Sequence, residues 1–400
     1  MSDHGFSVPF TFPVAFTRAV WNPSNPLFAE TLSRYEVDRR HRVMVVIDDQ
    51  VVRARGALIS QIERYFAAYP GVLELVCPPI VVPGGEAVKN DVTHCFRMLE
   101  RINEVGLDRQ SFVTVIGGGA VLDMVSFAAA IAHRGVRTVR MPTTVLSQAD
   151  SGFAVKNSVN LFGKKNFIGA FVPPFAVIND LDFLSSLHPR ERIAGVSEAV
   201  KVGLLRDPSF YRYIETHTGA IVSGNPDVIA MIVQRSAELH LAHICGNGDP
   251  FELGSARPLD FGHWAAHKLE SMTGHRLRHG EAVAIGIALD LTYSAAMGYL
   301  DRVSAERILR LLEAIGFKLT DHALLEREAD GTYTLIRGLK EFREHLGGEL
   351  HITLLRAIGD SFEVTHMDES RVIGAIETLA ARRSRRTSER PSVPAAVALG

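Results

Sequence analysis

The sequence predicts an α/β protein, with an N-terminal Rossmann-like doubly wound domain followed by a mostly α-helical C-terminal domain. Three observations carry this. Short β-branched runs alternate with helical patterns through the first half, which is the signature of a parallel sheet covered by helices. At Phe112–Ala132 a strand pattern runs straight into Gly117-Gly118-Gly119 and an apolar helix. From about Leu187 to Phe317 long helical patterns dominate, with carboxylates and imidazoles embedded in them.

In chain order, Val43–Ile47 reads as a buried strand, Gly56–Tyr69 as a helix and Val72–Val76 as a second strand. Asp91–Val105 has helical spacing, with Val92, Cys95, Phe96, Leu99 and Ile102 on one face. Phe112–Ile116 is a strand and Val121–Ala132 a helix. Late in the chain, Thr332–Ile336 and Leu350–Leu355 read as two short strands. A chain of 400 residues exceeds one ordinary core. We therefore expect an α/β domain over 1–186, a helical domain over 187–381 and a disordered basic tail over 382–400.

Composition narrows the partners. A net charge of −2 advertises neither nucleic acid nor an anionic membrane surface. Cys77, Cys95 and Cys245 form no CxxC pair, which argues for a reducing cytoplasm and against a disulfide framework. The N-terminus reads as lacking a secretory leader, and no apolar run is long enough to span a bilayer.

The glycine-rich strand–helix junction suits a dinucleotide, because glycines admit the backbone to a pyrophosphate and the helix start offers unpaired N–H groups. It departs from GxGxxG: Leu122-Asp123 follows instead of a third spaced glycine. An ordinary tight turn is the alternative. Glu198 and Lys201 lie at i, i+3, and His263 and His267 at i, i+4, each pair on one helix face; His279 opens a further helix. One carboxylate with two imidazoles is a donor set for a catalytic zinc. Isolated helical histidines are otherwise surface or core residues. The stretch from Asp150 through Lys156 to Gly163, Lys165 and Asn166 is polar and lysine-rich, suited to a phosphate or a polyhydroxylated substrate, or else to a solvated hairpin.

Taken together, the segments GGGAVLDMVSF, AHRGVRTVRMPTT, DSG…VK…N…GKKNFIGAF, GVSEAVKVGLL, DFGHWAAH and RHGEAVAIG resemble the dehydroquinate synthase superfamily of sugar phosphate cyclases, over about Val43–Leu355. The resemblance implies NAD and a divalent metal, zinc or alternatively cobalt or another ion, and a homodimer. It carries the metal ligands onto Glu198, His263 and His279. NAD contacts fall on Asp48, Glu86, Lys89, Gly118, Gly119, Asp123, Thr143, Thr144, Lys165 and Phe183. Substrate and catalytic positions fall on Arg134, Asp150, Lys156, Asn166, Lys201 and His267, with Arg134 reaching the substrate phosphate of the neighbouring subunit.

The departures cluster where the family holds a substrate carboxylate. The stretch before FGH reads Gly254-Ser-Ala256-Arg257-Pro258-Leu-Asp260, with its arginine displaced and an aspartate in place of asparagine. The family's upstream helix lysine aligns with His240. Asp260 facing a carboxylate would set like charges together, whereas facing a hydroxyl it is a good acceptor. On that ground the resemblance points to the 2-epi-valiolone synthase branch. Its substrate would be a C7 sugar phosphate, sedoheptulose 7-phosphate, closed to a valiolone-type cyclitol by transient oxidation, β-elimination of phosphate, reduction and aldol closure. The alternatives are 3-dehydroquinate synthase itself, a polyol or alcohol dehydrogenase on the same fold, and an inactive binding homologue.

Overall fold

The β-branched runs of the first half pair as a parallel sheet. Its strands are β1 (Val14–Thr17), β2 (His41–Asp48), β3 (Leu73–Leu75), β4 (Ile80–Val82), β5 (Phe112–Gly117) and β6 (Arg137–Pro142). An antiparallel hairpin of β7 (Lys156–Leu161) and β8 (Lys164–Phe171) then precedes β9 (Ala176–Asp180). The sheet order is β1-β9-β6-β5-β2-β3, with β4 also pairing with β2. The structure is a computed structural model and describes residues 3–388 apart from 163, 247–248, 252, 254–257 and 346.

The helices are α1 (Leu27–Ser33), α2 (Asp49–Ala54), α3 (Leu58–Ala68), α4 (Ala87–Asn90), α5 (Thr93–Glu104), α6 (Gly119–Ile131), α7 (Val145–Ala149) and α8 (Pro189–Arg206). They continue as α9 (Pro208–Thr216), α10 (Thr218–Ser223), α11 (Pro226–Gly246), α12 (His263–Met272), α13 (His279–Ala296), α14 (Arg302–Ile315), α15 (Arg337–His345) and α16 (Glu369–Ser388). Strands β10 (Ile352–Ala357) and β11 (Asp360–Val364) form a late antiparallel hairpin.

Alternation along β2 shows why both sheet faces are covered. Val43, Val45 and Ile47 join a core with Phe28, Ile62 and Tyr65, while Met44 and Val46 join another with Met98, Val121 and Val125. All five β2 residues are 0% exposed. Each such side chain contributes roughly 1.5–3 kcal/mol of burial free energy, which is why the run is continuously apolar rather than alternating. In register, Ile47 pairs with Ile116 and Gly117 with Pro142, so Asp48, the glycine turn and Thr143 all lie at the carboxyl ends of neighbouring strands. In such sheets that edge is where ligands bind.

The chain forms two compact units, one of Met1–Ala199 with Ser223–Phe251, the other of Val200–Val222 with Glu252–Gly400. Most of α8 falls in the first unit, and α11 rejoins it. Packing explains the return: Ala237 on α11 is buried with Phe153 and Val177, and Leu241 and Ile244 lean on them. In the second unit, α13 has buried residues all round and lies against α12, α14, α16 and β10.

Three expectations are corrected. Thr332–Ile336 is no strand: Thr334–Ile336 is a 3-10 turn, and only Tyr333 makes an isolated bridge, to Arg327. Phe96 is 57% exposed, because the buried face of α5 is Cys95, Met98 and Ile102. The tail does not begin at residue 382: α16 runs on to Ser388, and Arg382 is gripped by the carboxylates of Glu306 and Glu313 at 2.6–3.0 Å. Residues 389–400 lie outside the described residues. No helix among the described residues is long and apolar enough to cross a membrane.

Candidate active site

The glycine turn leads directly into α6. Gly118 is its N-cap residue and Gly119 its first residue. Close approach explains the glycine at 117, where a Cβ would meet Val121 at 2.9 Å. Asp48 caps α2, its Oδ1 accepting from Gln50 N at 2.8 Å. Burial, the largest effect, raises the Asp48 pKa. Thr143 donates its N–H to Gly117 O at 3.0 Å, and Thr144 caps α7 in a reciprocal box with Ser147.

A second group surrounds Lys89, which is 2% exposed. Its ammonium donates to Asp123 Oδ2 at 2.6 Å, Asn166 Oδ1 at 2.5 Å and Ser158 Oγ at 3.2 Å. Asn166 has a left-handed backbone (φ 55°) and donates its N–H to Asn160 Oδ1, whose amide in turn donates to Glu86 Oε1 at 3.1 Å. The structure therefore ties Asn166, expected on the substrate side, to residues expected around the nucleotide. Lys165 and Lys156 stand on the hairpin, half-buried and exposed respectively. Phe183 is in the core with Arg55 stacked over its ring at 4.9 Å. Arg134 is exposed on the turn after α6, with a left-handed backbone (φ 64°), beside a hollow lined by Asp108 and Gln110.

The third group is built on two imidazoles of the second unit: the rings of His263 and His279 lie 5.4 Å apart, and Glu198 on α8 is the carboxylate that the resemblance joins to them. The chemistry of this donor set fits a divalent metal. His279 Nδ1 lies 3.1 Å from Glu270 Oε2, and His263 Nδ1 lies 3.2 Å from the Phe261 carbonyl. Each acceptor fixes the proton on Nδ1, so Nε2 carries the lone pair a metal requires. His267 stands one turn after His263, its ring 5.5 Å from that of His263 and 6.2 Å from that of His279. Lys201 follows Glu198 by one turn of α8 and is 2% exposed.

Glu198 also belongs to a trio with Asp150 and His240, whose ligand atoms lie within 4.8 Å of one another. His240 is buried; its Nδ1 lies 2.8 Å from Ser236 O, and its Nε2 lies 3.8 Å from Asp150 Oδ1 without hydrogen bonding. Both groups present acceptors, an arrangement suited to a hydroxyl or water between them. Gly195 lets α8 approach this trio, since a Cβ there would meet Leu146 N on α7 at 2.4 Å.

Three site residues carry signals the sequence reading passed over. Glu270, 3% exposed on α12, and Asp290, 0% exposed within the apolar α13, are carboxyl groups turned inward. Arg140, also 0% exposed, donates to Ser126 Oγ (3.1 Å), Gly152 O (3.2 Å), Ala154 O (2.6 Å) and Asn157 Oδ1. It thereby fastens the segment after Asp150 to β6. Ala256 and Arg257 lie outside the described residues. Of Asp260 the structure gives a backbone role: its carbonyl accepts from His263 N at 3.0 Å.

Comparison with known proteins corrects the substrate reading. The family descriptions "3-dehydroquinate synthase N-terminal" and "3-dehydroquinate synthase C-terminal" match residues 79–194 and 195–341. A 3-dehydroquinate synthase of Roseobacter denitrificans is 34% identical over 345 residues, 85% of this chain and 89% of the relative. Among solved structures, ValA, a 2-epi-5-epi-valiolone synthase of Streptomyces hygroscopicus with NAD+ and Zn2+ bound, superposes with a TM-score of 0.84. Its identity is only 25%, over 95% of this chain and 100% of ValA. A 2-deoxy-scyllo-inosose synthase with carbaglucose-6-phosphate, NAD+ and Co2+ shares the fold (TM-score 0.74, 21% identity, 92% and 96% covered). The valiolone-type assignment, built on the displaced Arg257, Asp260 and the alignment of His240, is overturned by the nearer likeness to 3-dehydroquinate synthases across the chain. Matched from residue 79 to residue 341, this chain belongs to the dehydroquinate synthase family and is a sugar phosphate cyclase of that type, a lyase acting on phosphates.

Proposed function

We propose that this chain is a 3-dehydroquinate synthase, closing a C7 keto-acid phosphate to a carbocycle with release of inorganic phosphate. The observation that carries the reading is the 34% identity to 3-dehydroquinate synthases over 89% of their length. The likeness to ValA, with NAD+ and Zn2+ bound, supports the same two cofactors here. When bound, NAD supplies a hydride acceptor that is regenerated within the turnover, and the metal supplies a Lewis acid for the reacting hydroxyls.

The chain's own residues do the rest. Glu198, His263 and His279 would hold the metal through one carboxylate oxygen and two Nε2 atoms. The Gly118–Gly119 turn, Thr143, Thr144, Asp48 and Phe183 would seat the dinucleotide, with Lys89, Asp123, Glu86 and Lys165 around its edge. Asp150 and His240 accept from a substrate hydroxyl, Lys201 orients one beside Glu198, and His267 and Asp260 flank the ring-closing end. Lys156 and Asn166 hold the phosphate as the C–O bond to it breaks, and the proton lost from the adjacent carbon leaves on that phosphate. Arg134, exposed on its turn, is suited to reach a phosphate held by a second copy of the chain in a homodimer. Free cysteines, one of them exposed, suit a cytoplasmic setting.

The test is phosphate release by NAD- and zinc-loaded protein from two compounds: the C7 keto-acid phosphate and sedoheptulose 7-phosphate. We expect release from the acid alone, without net NADH. Release from the sugar alone, or NADH accumulating with turnover, refutes the reading.

A further inference from the structure

His263 opens α12, and a single carboxylate holds the chain on both sides of it. Gly262, just before, has a left-handed backbone (φ 78°) and donates its N–H to Asp290 Oδ2 at 2.9 Å. Trp264, just after, donates its indole N–H to Asp290 Oδ1 at 2.8 Å. Asp290 is 0% exposed and Trp264 1%. A buried carboxylate is costly to desolvate, and an apolar residue there would serve stability as well. What the carboxylate adds is direction, because its two oxygens fix two donors that bracket the histidine.

Backbone packing reinforces the grip. A Cβ on Gly286 would lie 1.9 Å from Gly262 O, and one on Gly262 would lie 2.6 Å from Ile287 N. The turn before His263 is thus pressed onto α13 one helical turn ahead of Asp290. That turn also contains the Phe261 carbonyl that receives His263 Nδ1. The same α13 begins with His279.

We propose that Asp290 is a positioning residue of the metal site: through Gly262 and Trp264 it sets the backbone and ring orientation of His263 relative to His279. This rests on the metal reading of Glu198, His263 and His279.

The experiment titrates metal-free wild type, Asp290→Asn and Trp264→Phe with Zn2+ against a chromophoric chelator. It also records the visible spectrum of each protein loaded with Co2+. Asparagine can accept one of the two bonds but not both. Asp290→Asn should bind Zn2+ about 10–100-fold more weakly and shift the Co2+ bands, while unfolding in one cooperative step. Trp264→Phe keeps the Gly262 bond and should lose less than about tenfold, in the same direction. A purely structural role would lower the unfolding temperature and leave affinity and spectrum alone; that result overturns the proposal. Should Asp290→Asn fail to fold, Trp264→Phe decides by the same criteria. Wild type that binds no metal overturns the metal reading and this proposal together, whereas normal wild-type binding with unaltered variants overturns this one alone.

Discussion

Each compact unit fastens its site-bearing segment with one wholly buried charge, a cation in the first and an anion in the second. Arg140 reaches three carbonyls, a hydroxyl and an amide, and so shapes the length of chain from Gly152 to Asn157. Asp290 receives two donors and fixes only the start of α12. The two differ most in how they titrate. Burial lowers the Arg140 pKa only to about 10, so it stays charged through neutrality, whereas burial lifts the Asp290 pKa to about 7. A planar fork with many donors suits an irregular segment; a carboxylate suits a single turn.

The largest effect should come from Arg140→Met, which leaves its acceptors buried and unmet. Urea unfolding should show a loss of about 3–5 kcal/mol, and a loss under about 1 kcal/mol would break the comparison. Next is pH. A carboxyl whose folded pKa lies above its unfolded value holds its proton more tightly when folded. It therefore favours folding at low pH, an advantage lost as pH rises from about 4 to about 7. In metal-free protein that slope should amount to something on the order of 2–4 kcal/mol and vanish in Asp290→Asn; equal slopes in both proteins would show that Asp290 is ionised throughout. Third, Glu270→Gln weakens the anchor on His279 and should lower Zn2+ affinity about 10–100-fold by chelator competition. Smallest is Glu306→Gln, which loosens a part-exposed pair with Arg382 and should cost less than about 1 kcal/mol in thermal unfolding. It calibrates how little a solvated ion pair contributes beside the two buried charges.

The sheet was legible because its strands are buried on both faces and read as unbroken apolar runs. The metal donors were legible for a different reason: residues one helical turn apart share a face, so His263 and His267, or Glu198 and Lys201, declare themselves by spacing. Their supports were not. Glu270 and Asp290 each look like one polar position on a helix, and only tertiary packing turns them inward. Thr332–Ile336 has strand-like residues but only an isolated bridge between Arg327 and Tyr333, and closes into a turn. The continuation of α16 past residue 382 is not legible in the sequence because the partners of Arg382 lie 69 and 76 residues away. The substrate is not legible from a few positions such as Arg257, Asp260 and His240, because the likeness that decides it is spread over the whole chain.

The contact between Gly262 and Gly286 has a consequence for which ion the site accepts. A helix slipped by one turn moves about 5.4 Å along its axis, and with no side chain to cushion them these two backbones admit no such play. The span between the two imidazoles is thereby a fixed gauge. Raw affinity among first-row divalent ions follows much the same order for most nitrogen and oxygen donor sets. A gauge of set width selects instead by ionic size and preferred geometry, and a methyl group added at position 286, which would stand 1.9 Å from Gly262 O, would force the two backbones apart and spoil it.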